Sequence, residues 1–389
     1  MSLLTQNPGQ QAQTHSAEAF VPDQSRAERT QSYDVADFPL PSGREEDWRF
    51  TPLSRLKGLH NGTAVPSGTV AVEVNAPDPV MIDSAGREDP RVGRAFTPAD
   101  RVAAQAYVSF EKAVIVTVPA NETLSEPITV KLRGEGQGAA YGHIVINVGE
   151  LAEATLILEH TGTAVYADNI EFVVGDGATL KVVSLQDWED DAVHVSHHHA
   201  RLGRDAVFRS FVATLGGDLV RLSPNVTYTA PGGDADLVGL YFADAGQHLE
   251  HRILVDHSVP NCRSNVTYKG ALQGDDAHTV WIGDVIIRAE ATGTDTYEYN
   301  RNLVLTDGAR ADSVPNLEIL TGEVAGAGHA SASGRLEDEH LFYLQSRGVP
   351  YDEARRLVIM GFFGELIERI SVPELRDRVL AAVEAELEK

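Results

Sequence analysis

Between residues 113 and 305 the chain runs through short β-branched or aromatic stretches: AVIVTV, ITVKL, HIVINV, ATLILEH, IEFVV, TLKVVSL, VFRSFVATL, VTYTA, LVGLYFAD, RILVDH, NVTYKGAL, HTVWIGDVIIR and YEYNRNLVL. Each is bounded by Gly, Asp or Asn, which is the signature of strands between tight corners. Helical periodicity is almost absent here. A Gly/Asp turn that feeds an alanine and then a strand recurs, with alanines at 154, 178, 206, 235, 277 and 309 and gaps of 24, 28, 29, 42 and 32. Self-similarity at that spacing predicts a solenoid, and short strands with small corner residues favour a parallel β-helix. A β-sandwich is the competing reading. A solenoid ends in open strand edges, so a cap or a partner of like architecture must cover them.

The pattern turns helical after this region. RLEDEHLFYLQSRG predicts a helix stopped by Gly348, and Pro350 can open the next, with Asp352 and Glu353 in its first turn. Ala354, Leu357, Val358, Phe362, Leu366, Ile367 and Ile370 follow at helical spacing, and Ile359, Met360 and Phe363 widen the stripe. Pro373 opens a last helix carrying Leu375, Val379, Val383 and Leu387. So broad an apolar face predicts either a surface bound by another protein or three helices packed together.

Before the strands, residues 1–30 are polar and read as disordered. Residues 38–56 predict a helix capped by Thr51 with Pro52 at its first position, and core anchors at Trp48 and Phe50. Glu45, Glu46 and Asp47 read as a solvated helix face rather than a metal cluster. Val70, Val72 and Val74 alternate as a strand does. A helix is expected around residues 98–110, where Asp100, Arg101 and Glu111 carry no motif. The division is 1–30 disordered, 31–112 mixed and helical, 113–334 solenoid, and 335–389 helical.

The 389 residues carry a net charge of −25, which repels nucleic-acid backbones and anionic membranes. One cysteine, Cys262, excludes an internal disulfide framework and reads as a small buried hydrophobe. There is no apolar run of transmembrane length and no export-like leader, so a cytoplasmic protein is expected and the Asn-x-Thr triplets at Asn61, Asn121, Asn225 and Asn265 read as chance.

Several motifs bear on chemistry. In VHVSHHHARLG, His197 and His199 share a strand face and His198 opposes them; with His194 they are a candidate metal tract or an imidazole ladder in or on the solenoid. His248, His251 and His257 do not converge on a strand. GEGQGAAYG lacks the spacing of a nucleotide loop and reads as a flexible turn, so no nucleotide is expected on this chain. His329 stands in EVAGAGHASASG, where small neighbours leave an accessible imidazole able to bind zinc, iron or copper.

REEDWRF at 44–50, HSVPNCRSNVTYKGAL at 257–272 and GHASASGRLEDEHLFYLQSRGVPYDEARRLVIMGFFGEL at 328–366 resemble the SufB/SufD family of iron–sulfur cluster assembly proteins. The resemblance covers most of residues 40–389. It implies a right-handed parallel β-helix with a C-terminal helical domain, acting in a SufBCD complex. It further implies a SufB-like paralogue as partner, a SufC-like ABC-type ATPase gripping the C-terminal helices, and a transient iron–sulfur cluster forming where the two paralogues meet. The single cysteine is most similar to the SufD branch: a sulfur-receiving thiol of the SufB type would fall near Ala309, where there is none. The seam has His329-Ala330-Ser331, where the family usually has His-Gly-Ala and SufB has His-Glu.

The expectation is therefore a non-catalytic scaffold. His329 is the candidate cluster ligand, and Leu357, Phe362, Phe363 and Leu366 are the candidate ATPase-binding residues. Isolated, the chain could pair with a second copy of itself. The rival readings are a polysaccharide-active β-helix enzyme and a cofactor-free structural solenoid.

Overall fold

The structure is a computed structural model that describes residues 28–336 and 338–388. In chain order the elements are β1 Val70–Asn75, β2 Met81–Ala85, α1 Arg101–Ser109, β3 Ala113–Val118, β4 Ile128–Val148, β5 Glu153–Val174, β6 Thr179–Trp188, β7 Val193–Leu202, β8 Val207–Thr214 and β9 Leu219–Tyr228. They continue as β10 Asp234–Ala243, β11 His248–His257, β12 Arg263–Leu272, β13 His278–Ile287, β14 Asp295–Val304, β15 Arg310–Ile319, β16 Gly326–Arg335, α2 Asp338–Ser346, α3 Tyr351–Ile367 and α4 Pro373–Glu388.

From β3 onward every pairing between solenoid strands is parallel; β3 to β6 pair in succession, and from β5 onward strands also pair with the one two places along the chain. That is a flattened β-solenoid with two rows, and it excludes the sandwich. The even row is β6, β8, β10, β12, β14 and β16; the odd row is β7, β9, β11, β13 and β15. The long strands β4 and β5 turn the corner and serve both rows. Thr179, Val207, Asp234, Arg263, Asp295 and Gly326 lie one above another, so a coil takes 27–32 residues.

The coil register corrects the alanine repeat. Ala152, Ala178 and Ala206 precede register-matched strand starts in the even row, whereas Ala277 and Ala309 occupy that place in the odd row. Ala154 and Ala235 lie inside strands. The gap of 42 is thus a change of row. Close backbone approach explains the corner glycines: a Cβ on Gly175 would come 2.8 Å from the Glu150 amide nitrogen of the coil below.

GEGQGAAYG is not a flexible turn. It lies within β4, with a bulge between Glu135 and Ala139 where the chain passes from one row to the other. A Cβ on Gly134 would sit 2.2 Å from the Thr163 carbonyl oxygen.

Both outer faces are covered. On the odd row lie Trp48, Leu56, Leu59, Val102 and Ala106, against Val165, Val193, Val195 and Leu219. Asp100 fastens this layer. Its Oδ1 accepts from Ala103 N at the start of α1, while Oδ2 meets His197 Nε2 at 2.9 Å and Arg221 at 3.1 Å. Burial alone would raise its carboxyl, but His197 and Arg221 hold it well below the usual carboxylate range. Thr51 is not a cap; its hydroxyl donates to Glu250 at 2.7 Å, and the local helix is a short 3₁₀ turn, Leu53–Leu56. Phe50 is only half-buried, under the Arg49 guanidinium. Of the start expected to be disordered, residues 1–30, residues 1–27 lie outside the described residues; Arg29, within that stretch, is ordered and pairs with Asp284 of β13.

On the even row, Ile359, Phe363, Leu366, Ile367, Ile370, Leu375, Val379 and Val383 of the C-terminal segment pack on Val183, Leu185, Phe211, Val238, Leu240 and Phe242. The helices therefore pack on the solenoid, and much of their broad stripe is core. Between the rows, the lumen is apolar but carries imidazoles. Burial pushes His251 and His257 down to about 3, so both stay neutral.

Candidate functional site

The rows end at β15 and β16, each paired on one side only among the described residues. Strand alternation sends Thr296, Glu298, Asn300 and Asn302 of β14 into the lumen, where all four are buried. In register beyond them on β16 stand Ala327, His329, Ser331 and Ser333. His329 is exposed on this last coil, as its small neighbours suggested.

Glu298, the register partner of His329, is 1 % exposed, and neither of its carboxyl oxygens has a hydrogen bond among the described residues. Burial, with the Asp284 charge second, pushes it up to about 8, so it is a neutral acid below that pH. It reaches across the lumen toward β13. A Cβ on Gly283 would lie 2.6 Å from Glu298 Oε2 and 2.5 Å from the Trp281 ring, so only glycine leaves room.

Beside this pair a polar network ties the last coils together. Asn300 Nδ2 donates to Tyr241 Oη at 2.9 Å, Tyr241 donates to Asn302 Oδ1 at 2.6 Å, and Asn302 Nδ2 reaches Ser313 at 2.9 Å and Ser333 at 3.2 Å. Tyr297, Ile319 and Leu320 are exposed near the rim. The end thus offers two strand edges, apolar rim residues and an imidazole above a buried acid. It can take a further strand on each edge and offer nitrogen to a borderline metal.

The four residues expected at an ATPase surface separate. Phe363 and Leu366 are buried against the even row and cannot be the surface itself. Phe362 is half-buried, its ring against Lys269 and Arg301, and its carbonyl accepts from Lys269 Nζ at 3.1 Å. Leu357 is 42 % exposed. Phe342 and Tyr343 of α2 and Tyr351 of α3 are more exposed still, and the periodicity gave no reason to choose them.

The remaining motifs do not gather into one centre. His197 turns outward to Asp100, and His199 lies edge-on to Phe96; His194 and His198 turn into the lumen. His248 meets Glu250 and His278, His251 meets Thr214, and His257 meets Ser264, so the three do not converge. Cys262 is buried, with its Sγ facing the Ala230 and Pro260 carbonyls. Glu45 accepts from Ser42, Glu46 pairs with Arg49 and Asp47 with Arg252, so these acids share no centre. Glu298 was missed, although an acid in the inward phase of TYEYNRN marks it.

No helix among the described residues is long and apolar enough to cross a membrane. The profile described as "SUF system FeS cluster assembly, SufBD core domain" matches residues 131–362. The chain is 58% identical over 371 residues to an iron-sulfur cluster assembly SufBD family protein of Mycobacterium bovis, covering 94% of each chain. It is 57% identical over 363 residues to the corresponding SufBD family protein of Mycobacterium leprae, covering 92% of this chain and 93% of the other. At 25% identity over 380 residues it is similar to the iron-sulfur cluster assembly protein SufD of Escherichia coli, covering 88% of each.

Proposed function

The chain belongs to the SufBD family of iron–sulfur cluster assembly proteins, and from that premise we propose that it is the SufD-type, non-catalytic scaffold subunit of an assembly complex. The observation that carries this reading is the open end: two ten-residue edge strands with an exposed His329. A SufB-like paralogue continues the two rows edge to edge. A nascent cluster, the cargo, is held transiently at that seam, with a His329 ring nitrogen as one ligand. Glu298 beneath it is a neutral, dry acid that adds no charge to the seam at neutral pH.

The C-terminal helices dock a SufC-like ATPase through the exposed Phe342, Tyr343, Tyr351 and Leu357, while Phe362, Phe363 and Leu366 hold α3 on the sheet beneath. Because α3 is packed on the even row, a pull on it by closing ATPase subunits is transmitted to the same row that ends in His329. Coupling of this kind requires that nucleotide and cluster bias the same two-state element. The reading also places the protein in the cytoplasm.

The experiment is anaerobic reconstitution with SufB-like and SufC-like subunits. His329→Ala lowers iron and sulfide retained by the intact complex several-fold, and Leu357→Asp removes the ATPase from it. Full iron and sulfide loading with His329→Ala refutes the ligand role; ATPase retention with the Leu357→Asp, Tyr351→Asp pair refutes the docking role.

A further inference from the structure

A second, separate cluster of ligand-type side chains lies in the lumen of the early coils. His160 and Asp168 of β5 and His194 of β7 bring one ligand atom each to within 4.8 Å of one another. All three residues are wholly buried.

The hydrogen bonds of this group are incompletely matched. His194 Nδ1 lies 2.9 Å from Gln186 Oε1, an oxygen that also accepts from Trp188 Nε1 at 2.9 Å. Trp188 Nε1 can only donate, which fixes the Gln186 amide with its oxygen toward His194, and the Gln186 amide nitrogen then donates to Ser184 Oγ at 3.1 Å. Trp188 Nε1 also lies 3.2 Å from His194 Nδ1, so that ring nitrogen faces a donor and an acceptor at once. His194 Nε2 lies 3.1 Å from Asp168 Oδ1. With hydrogen on Nδ1, Nε2 turns a lone pair to that carboxylate oxygen, and a cation bound by both relieves the repulsion.

Among the described residues, His160 Nε2, Asp168 Oδ2 and Ser196 Oγ are buried without a hydrogen bond of ordinary geometry, with the Ser196 and Tyr166 side chains beside Asp168. Ser196 lies two residues beyond His194 on the same inward side of β7. His160 Nδ1 sits between the Leu185 carbonyl oxygen at 3.2 Å and Gln186 Nε2 at 3.1 Å. Donation from Nδ1 to Leu185 frees Nε2 as a lone pair, matching His194. Metal-bound histidines are characteristically held this way, with the far nitrogen donating to a carbonyl.

We propose that His160 Nε2, His194 Nε2 and an Asp168 carboxylate oxygen bind one borderline divalent cation of the Zn²⁺ type, with the Ser196 hydroxyl next to the fourth position. Two imidazoles, one carboxylate and no thiolate suit that ion. Tetrahedral bonds of about 2.0–2.2 Å set ligand atoms about 3.3–3.6 Å apart, so the 3.1 Å His194–Asp168 pair opens slightly and any longer separation closes. The cation offsets the charge of a wholly buried carboxylate. Its place is structural: β5 serves both rows, and the site ties it to the first odd-row strand beyond it, with Gln186 of β6 orienting His194. No ligand residue is exposed, so the ion enters as these coils close.

The full-length chain is unfolded in denaturant with a chelator, then refolded with and without Zn²⁺. Metal is counted after dialysis of the folded protein against EDTA. The site predicts one retained Zn²⁺ per chain, a higher unfolding midpoint than the zinc-free protein, and the same result for His329→Ala. It predicts loss of the retained ion in His160→Gln and in Asp168→Asn. Wild type that refolds to the same midpoint without zinc and retains none overturns the proposal. So does retention of the ion by the double variant His160→Gln, Asp168→Asn. Where a variant fails to refold, the wild-type comparison decides alone.

Discussion

The two ends of the solenoid are built on opposite plans. At the N-terminal end each row is finished by a short antiparallel strand, β1 on β4 and β2 on β3. These strands have six and five residues and carry Glu73 and Asp83, the latter paired with Arg91. Short, charged edges discourage pairing with another chain. At the far end β15 and β16 are ten residues each, and no described strand pairs with their outer edges. Apart from His329 and Arg335, β16 is Gly, Ala and Ser, residues that form strands poorly on their own. A finished edge protects itself; this one is held by β14 on one side and gains most from a strand on the other.

The comparison extends to protonation, and acid gives the largest expected effect. His251 and His257 belong to closed coils, and their folded values near 3 lie below the unfolded value of 6.5. The unfolded chain therefore binds the extra protons as pH falls. Their stabilising contribution is intact above pH 6.5 and declines from there toward pH 3, by several kcal/mol in sum. Urea unfolding across that range measures it. A flat profile would mean that the closed coils are no drier than the open end.

Next in size, Phe363→Ala removes a wholly buried ring between α3 and the even row and costs about 3–5 kcal/mol in denaturant unfolding. Leu357→Asp, on the exposed side of the same helix, changes stability by about 0.5 kcal/mol or less while removing ATPase binding. Equal losses from the two would erase the distinction between anchoring and docking faces.

Glu298 sharpens the contrast from beneath the open end. Its folded value of about 8 lies above the unfolded 4.5, so the folded chain binds the extra proton, and stability falls as pH rises between those values. Glu298→Gln removes that loss and stabilises the protein above neutrality, by about 2–4 kcal/mol at pH 8, with little effect at pH 4.5. A destabilising effect at pH 8 would show that the acid has a partner the fold conceals. The smallest expected change is that of His329→Ala, about 0.5 kcal/mol or less in the isolated chain, because the ring packs against little.

Much of this was legible in the sequence. Short β-branched or aromatic runs with Gly, Asp or Asn corners marked the strands, and the small residues around His329 marked an accessible ring. The destination of the helices was not legible. Outward residues such as Leu185, Phe211 and Phe242 are as apolar as the inward ones, because both faces of the even row are buried, and such strands lose their alternation. That is why Phe363 and Leu366 read as a free surface. The coil spacing was blurred because corner alanines occur in both rows. Asp100 carried no motif because its partners, His197 and Arg221, are about a hundred residues away in sequence and meet it only when α1 lies across the odd row.

Amide hydrogen exchange of the full chain, alone and with its SufB-like partner, tests the asymmetry most directly. The account predicts that β15 and β16 gain protection on complex formation while β1 and β2 stay as they are. Protection gained at β1 and β2 instead, or no change at β15 and β16, would contradict it.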